Sequence, residues 1–421
     1  MKKKTVLILS VTMALSFGIF TTGCAFSQAS ASEQSTTASV QSTTASVQST
    51  TASVQSTAAT GSTAAVSSSG GIIDTSDLFS DRDLEQTADT ENAVSYTVAD
   101  GQDINITEAG VYVISGTASD CTITVNCTDA DAKVQIVLDG VSITNTDSPA
   151  IYVISADKCF VTTAEGSSNT LSVTGTFAAD GTTNTDAVIF SKDDLVMNGT
   201  GTLTINSTGN GITSKDDLKL TGGTYNITCT KNAIEGKDSI AVSGGTYTIK
   251  AEADGLHSEN SDDNTLGSIY ISGGTFSISA GDDGIHGTTA VEIDGGEFTI
   301  NAAEGIEGTY IQINDGTISI NASDDGINAA AKSTVYDPVI ELNGGTITIV
   351  MGSGDTDAVD ANGSIYVNGG NINITGNSSF DYDTTGELNG GTVIVNGSQI
   401  TEMPAQMQGG GMQGGGKGMR G

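Results

Sequence analysis

The sequence predicts an all-β solenoid, a single-stranded parallel β-helix. Three observations predict it: a six-residue motif repeated eight times at a near-constant step, apolar residues alternating through short β-branched segments, and the lack of any helical period along the chain. The motif reads GGTYNI at Gly222, GGTYTI at Gly244, GGTFSI at Gly273, GGEFTI at Gly295, DGTISI at Asp315, GGTITI at Gly344, GGNINI at Gly369 and GGTVIV at Gly390. From one second glycine to the next the steps are 22, 29, 22, 20, 29, 25 and 21 residues. That is one period of about 20 to 22 with insertions at the corners, as stacked coils tolerate. Three prolines and no tryptophan in 421 residues suit stacked short strands better than a sandwich with a bulky core.

The chain opens with Met1, Lys2, Lys3 and Lys4, then an apolar run from Thr5 to Phe20. This is a secretory signal by charge and length, assigned to residues 1–23. Cys24 follows Thr21-Thr22-Gly23 in the manner of a bacterial lipoprotein cleavage site, so it is expected to carry a lipid anchor. Residues 24–75 are rich in Ser, Thr, Ala and Gln and contain the heptamer QSTTASV three times, from Gln34, Gln41 and Gln48. Those heptads lack two large apolar positions each, so the stretch reads as a flexible tether and not a coiled coil. Residues 76–403 form the solenoid domain, opening with an acidic leader, DLFSDRDLEQTADTEN, expected to cap or flank the first turn. The Gly, Met and Gln tail, 404–421, cannot bury a core.

Acidic residues number 50 against 15 basic ones. Losing Lys2, Lys3 and Lys4 with the signal leaves 12 basic residues and a net charge of −38. Nucleic acid is an improbable partner for such a surface, and metal cations are a natural one. Cys121 and Cys127 lie six residues apart in one extended segment, about 20 Å, too far to pair there. For these two, Cys159 and Cys229, pairing between stacked turns and buried free thiols both remain open.

Short strands separated by Gly, Asn, Asp and Thr begin at Val111-Tyr-Val-Ile and continue through Ile123-Thr-Val, the segment from Val134 to Ile143, Ile151-Tyr-Val-Ile and Thr170-Leu-Ser-Val. From Asp186 each coil can be written as three strands. The first carries apolar residues two apart and ends on a polar residue before the glycines: Leu195 and Met197 before Asn198, Ile269 and Ile271 before Ser272, Ile340 and Leu342 before Asn343. That polar position is expected to form a hydrogen-bonded ladder at a tight corner. The second strand is the motif itself. Tyr225, Tyr247, Phe276, Phe298, Ile318, Ile347, Ile372 and Val393 share one register, with Ile or Val two residues on, so both columns point inward as core stacks.

A third column marches at the same step: Asp186-Ala-Val, Asn210-Gly-Ile, Asn232-Ala-Ile, Asp254-Gly-Leu, Asp283-Gly-Ile, Glu304-Gly-Ile, Asp325-Gly-Ile and Asp357-Ala-Val. About eight clear coils of about 22 residues follow, with three or four more expected between Val94 and Asp186, about 11–12 in all. Equivalent positions stack about 4.8 Å apart. More acid flanks the column at Asp282, Asp324 and Asp355, and three residues on stand Glu235, His257, His286, Glu307, Asn328 and Asp360. Two carboxylates about 5 Å apart repel by roughly 3 kcal/mol at an effective dielectric constant near 20, so cations are expected between them. Hard oxygen donors from neighbouring turns suit Ca²⁺. The expected calcium ligands are Asp254, Asp282, Asp283, Glu304, Glu307, Asp324, Asp325, Asp355, Asp357 and Asp360. The competing reading is that Asp-Gly and Asn-Gly serve only as corner residues. His257 and His286, the only histidines, are expected as outward members of a polar ladder that could meet a ligand or a soft metal.

Several segments carry a resemblance: FSDRDLEQ, GVYVISGT, VQIVLDGVSITN, AIYVISADKCFVT, SKDDL and the GDDGIHG corner. Together they resemble the bacterial carbohydrate-binding β-helix family, itself similar to pectate lyases, over nearly all of Ser76 to Met403. The resemblance implies a right-handed parallel β-helix that binds calcium and polysaccharides such as cellulose and acidic pectic sugars. It implies function at the Asp-Asp-Gly corners, Asp282, Asp283, Asp324 and Asp325, and secondarily at Asp254, Glu304 and Asp357. Lyases of this fold use an arginine base, whereas Arg82 and Arg420 both lie outside the repeats. Lys192, Lys215 and Lys237 form a column beside aspartates that reads as ladder salt bridges. The Gly-His-Gly and Arg-x-Lys elements of polygalacturonases are absent, so catalysis is not expected. The expectation is a monomeric, lipid-anchored, cell-surface module that binds polysaccharide, acidic plant-wall glycans or cellulose, through Ca²⁺. Tyr270 and Tyr366, outward between inward apolar neighbours, are the candidate sugar-contacting aromatics. The alternative is a calcium-stiffened structural or adhesive stalk.

Overall fold

The computed structural model describes residues 70–354 and 356–405. The signal, Cys24, most of the tether, Asp355 and nearly all of the tail lie outside the described residues. Those described contain 34 strands and one helix, Asp81–Leu84. Every strand pairing is parallel except the last, where Val393 to Val395 pairs antiparallel with Ser398 to Ile400. Asn396 and Gly397, at φ of 50° and 79°, make the two-residue turn that closes this hairpin. A chain of parallel pairs, each strand bonded to its counterparts before and after, is an all-β solenoid.

Register carries the repeat into space. Tyr225 pairs with Tyr247 and Ile227 with Ile249, Tyr247 with Phe276, and Phe276 with Phe298. Their rings stack at centroid distances of 5.3, 4.7 and 4.8 Å, close to the spacing of strands in a sheet. All four rings are buried, and Ile318, Ile347, Ile372 and Val393 continue the stack. The expected core columns are therefore core. The glycine pairs act by two separate means. Gly245 sits at φ 106°, a conformation that disfavours any side chain, whereas a Cβ on Gly344 would lie 2.1 Å from the carbonyl oxygen of Asn314 in the adjacent coil.

The polar position before the glycines does form a ladder. Asn314 Nδ2 donates to Asp294 (2.7 Å), Asn343 to Asn314 (2.8 Å), Asn368 to Asn343 (2.7 Å) and Asn389 to Asn368 (3.0 Å). The four cysteines among the described residues are buried free thiols, which settles the alternative left open by spacing.

The leader departs from expectation. It does not cap the first turn but runs back along the outer face of the first strands. Docking starts already at Ile73, inside the stretch read as tether, whose N–H donates to Glu292 (2.7 Å); ten residues later Asp83, fully buried, meets Lys219 (3.1 Å) and Lys158 (3.4 Å). Gln86 bonds Gly199 and Thr221, and the Arg82 guanidinium lies 4.5 Å over the Phe160 ring. Ser80 and Asp83 form a capping box on the short helix, and this aims the carboxylate down at the lysines. Burial alone would raise the Asp83 pKa, but the Ser80 N–H and the two lysines outweigh it and hold the carboxyl below its usual range.

Candidate functional site

The third strands build the site. Register places Asp254 against Asp283, Asp283 against Glu304, and the positions three residues on in the order Glu235, His257, His286, Glu307, Asn328, Asp360 and Asp381. Both polar columns thus exist as expected from Asn210 onward. At Asp186 the expectation fails: Asn210 pairs with Ala187 and Ile212 with Ile189, so Asp186 is displaced by one residue and instead meets Lys231 at 2.8 Å. A one-residue shift exchanges the faces of a strand, which turns Phe190 outward.

In the first column the side chains bond backbone. Asn210 Oδ1 accepts from Asn232 N–H (3.1 Å), Asp254 Oδ1 from Asp283 N–H (2.9 Å), and Asp325 Oδ1 from Asp357 N–H (3.0 Å). These residues are corner ladder and acid column at once. Asp282 and Asp324 remain exposed at the corner.

The middle of the site supplies its own cations. His257 Nδ1 lies 2.6 Å from Asp254, and His286 Nδ1 lies 2.7 Å from both Asp283 and Glu307. Lys332, from an inserted loop, reaches Glu307 at 2.5 Å. Burial works to lower the His286 pKa, but hydrogen bonds to Asp283 and Glu307 prevail and lift it to about 9, so the ring is cationic at neutral pH. The same contacts, with Lys332, hold Glu307 down at about 2 against burial. Both histidines stand in the outward polar ladder as expected, but His286 is buried and His257 half-buried, so neither is a freely solvated member of it. Imidazole and ammonium occupy the places where calcium was expected between Asp254, Asp283 and Glu307. This stretch therefore does not fit a Ca²⁺ ion, which takes oxygen ligands.

Further along the column no imidazole or ammonium intervenes among the described residues. Asp360 pairs in register with Asp381 and feels the charges of Asp325 and Asp357, and among the described residues no Lys, Arg or His lies within ion-pair distance of these four. Burial first, then Asp325, Asp357, Asp381 and Asp383, push Asp360 up to about 7. Two buried oxygens in this stretch have no hydrogen-bond partner, Asn328 Oδ1 and Thr356 Oγ1. Asn328 pairs in register with Asp360, and Thr356 precedes Asp357. Acids without a cationic partner and neutral oxygens are the donor types that Ca²⁺ takes. Glu304, in between, is pushed to about 7 by burial and by Glu307, Asp283 and Asp325, while accepting from Asn328 (3.0 Å).

The lysine column has other partners than expected. Lys215 meets Glu235 (2.7 Å) and Lys237 meets Asp262 (2.6 Å), not the adjacent aspartates, and Lys192 sits 5.4 Å over the Tyr152 ring. Tyr152 and Phe190 extend the second column towards the amino terminus, edge to face at 5.9 Å. Sequence reasoning missed this pair; the signal was an aromatic at an outward position of two strands, Ile151-Tyr-Val and Val188-Ile-Phe. It also missed the grouping of Asp194, Asp216 and Asp217.

On the first-strand face Tyr270 and Tyr366 fare differently. Tyr270 points outward, but it is buried and donates to Asp294 (2.9 Å). Between its anchors at Glu292 and Lys219 the leader crosses the coils of Tyr270 and Ala241, both of which are buried. Tyr270 is therefore withdrawn as a sugar contact. Tyr366 lies beyond the leader and is partly accessible, with Tyr310 and Tyr336 packed edge to face at 5.3 Å on the same face.

Comparison with known proteins places these features in a family. The model of the carbohydrate-binding domain-containing family matches residues 100–356 and 303–406. A carbohydrate-binding domain-containing protein of Acetivibrio thermocellus is 38% identical over 125 residues, 29% of this chain and 43% of that protein, so the match spans less than half of the relative. Among solved structures the chain is similar to the polysaccharide lyase-like protein from C. thermocellum, a gadolinium derivative, at 31% identity and a TM-score of 0.48 over 54% of this chain and 96% of that one. With the family model covering most of its length, the chain belongs to the carbohydrate-binding domain-containing family.

Proposed function

We propose that the protein is a non-catalytic, calcium-dependent polysaccharide-binding module, held at the cell surface by a lipid on Cys24, that favours acidic glycans of the pectic type. The observation that carries the reading is the group of Asp325, Asp357, Asp360 and Asp381 with no cationic partner among the described residues, beside the unsatisfied oxygens of Asn328 and Thr356. A calcium ion there would be held by these oxygens and would supply positive charge for a uronate carboxylate. Without it a chain of net charge −35 repels a polyuronate. Family membership supports the polysaccharide class; calcium, the acidic preference and the surface location are proposed here. The same reading takes the solenoid as right-handed and monomeric, with about 22 residues per coil, as the offset from Tyr225 to Tyr247 suggests.

Retention of neutral glycans such as cellulose is assigned to the face bearing Tyr366, where Tyr310 and Tyr336 stand on one side and the Asn314 to Asn389 ladder on the other. Aromatic faces beside amides suit sugar rings, which offer both C–H and hydroxyl surfaces. A glycan array with calcium and with chelator tests the whole reading. Polyuronate signals present only with calcium are expected, and equal signals in both would refute the calcium step. An assay for unsaturated uronate, run alongside, is expected to stay at background; a rising absorbance would make the protein a lyase.

A further inference from the structure

We propose that His257 and His286, with Asp254, Asp283 and Glu307, form a second metal site that takes a borderline divalent ion of the Zn²⁺, Co²⁺ or Ni²⁺ type. This site is separate from the all-oxygen group around Asp360 and does not depend on it. The only two histidines of the chain fall on adjacent coils, paired in register, with ring centroids 4.9 Å apart. Each ring is oriented by an acid three residues earlier: Asp254 at 2.6 Å from His257 Nδ1, Asp283 at 2.7 Å from His286 Nδ1. A ring nitrogen and a carboxylate oxygen that share a proton at these distances can share a divalent ion in its place, the proton leaving as the metal binds.

The Nε2 atoms have only long contacts here, 3.4 Å from His286 to Thr288 Oγ1 and 3.5 Å from His257 to Glu259. Donor atoms of Asp254, His257 and His286 lie within 4.8 Å of one another, as do those of Asp283, His286 and Glu307. Two ligands on a tetrahedral ion with bonds of about 2.1 Å stand about 3.4 Å apart, so small side-chain rotations close either set. Two nitrogens among carboxylates select against calcium and for metals that accept imidazole. With both rings neutral, as ligands must be, three carboxylates and Lys332 sum to −2, which one divalent ion offsets in place of the proton on His286. Glu259, on the exposed rim beside His257, marks the entry side.

The test uses the full chain, stripped with chelator, titrated with Co²⁺ in excess Ca²⁺ and followed by visible absorption. Expected is a ligand-field band that saturates at a single Co²⁺ per chain, is displaced by Zn²⁺ and not by Ca²⁺, and needs at least tenfold more Co²⁺ in His257→Gln and His286→Gln. Thermal melts verify folding; should His286→Gln fail to fold, His257→Gln alone decides, because its ring is the less buried. Absence of the band, its loss to Ca²⁺, or an unchanged titration in His257→Gln would overturn the site. Pectate retention is read separately, so failure here leaves the glycan reading standing and failure there leaves this one.

Discussion

Asp83→Asn is the sharpest test of how the leader is held. The substitution keeps an oxygen to accept from Ser80 N–H (3.0 Å) but removes the charge facing Lys219 and Lys158. Asp83 is fully buried and the lysine side chains are 12% and 15% exposed, so screening is slight. Breaking one partner out of a buried pair costs about 3–5 kcal/mol. Lys158 retains Asp194 at 3.6 Å, which brings the expectation to about 3 kcal/mol, or roughly a 150-fold rise in leader opening. Coils contact only their neighbours, so the loss appears as local release and not global unfolding. Amide exchange across Leu78 to Gln86 and tryptic cleavage after Arg82 should accelerate accordingly, while exchange in the Tyr247 to Phe298 stack should not change. The pH dependence has a definite sign. A carboxyl held below its unfolded value of 3.8 contributes stability above that value and loses it as pH falls through the lower folded pKa. The wild-type leader should therefore loosen only below about pH 4, whereas Asp83→Asn should show its raised opening at every pH. Wild-type protection in Asp83→Asn at neutral pH would refute the buried-pair account.

Two further outcomes follow from the site. His286 has a folded pKa of about 9 against 6.5, so its contribution is fully present below pH 6.5 and is lost as pH rises through 9, about 3 kcal/mol at most. Chelator-treated wild type should lose melting temperature between pH 6.5 and 9.5, and His286→Ala should start low and show little of that loss; parallel curves would contradict the internal-cation role. Tyr366→Ala should leave the melting temperature within about 2 °C, since the ring is partly accessible, and lower cellulose retention severalfold while calcium-dependent pectate retention persists. Pull-down depletion on both polymers measures this, and undiminished cellulose retention would discard the aromatic face.

Much of the solenoid was legible because a stacked coil writes its geometry as a period. Tyr225, Tyr247, Phe276 and Phe298 share a column in sequence because they share one in space, and the Asn314 to Asn389 ladder could be read from position alone. The acid column was legible for the same reason from Asn210 onward. What periodicity cannot encode is contact between segments that do not repeat. The leader docks more than 130 residues away, through Asp83 and Lys219, and nothing in the repeat announces that Tyr270 lies beneath its path. Lys332 reaches Glu307 from an insertion that breaks the period. Column chemistry pointed to cations between acids, but whether those are bound metals or the protein's own His286 and Lys332 depends on side-chain directions. Asp186 was misplaced because a one-residue register shift leaves an alternating pattern looking intact.

On the proposed function, the uncompensated acids at the carboxyl-terminal end of the column hold the calcium through which the protein takes up acidic glycan. The most direct measurement is isothermal titration of pectate oligomers into the full chain in calcium and in chelator, repeated with Asp325→Asn, Asp357→Asn and Asp360→Asn combined. The account predicts heat of binding with calcium alone, and its loss in the triple variant with the melting temperature in chelator unchanged or raised, since mutual repulsion is removed. Binding of equal strength in chelator, or full calcium-dependent binding by the triple variant, would contradict it.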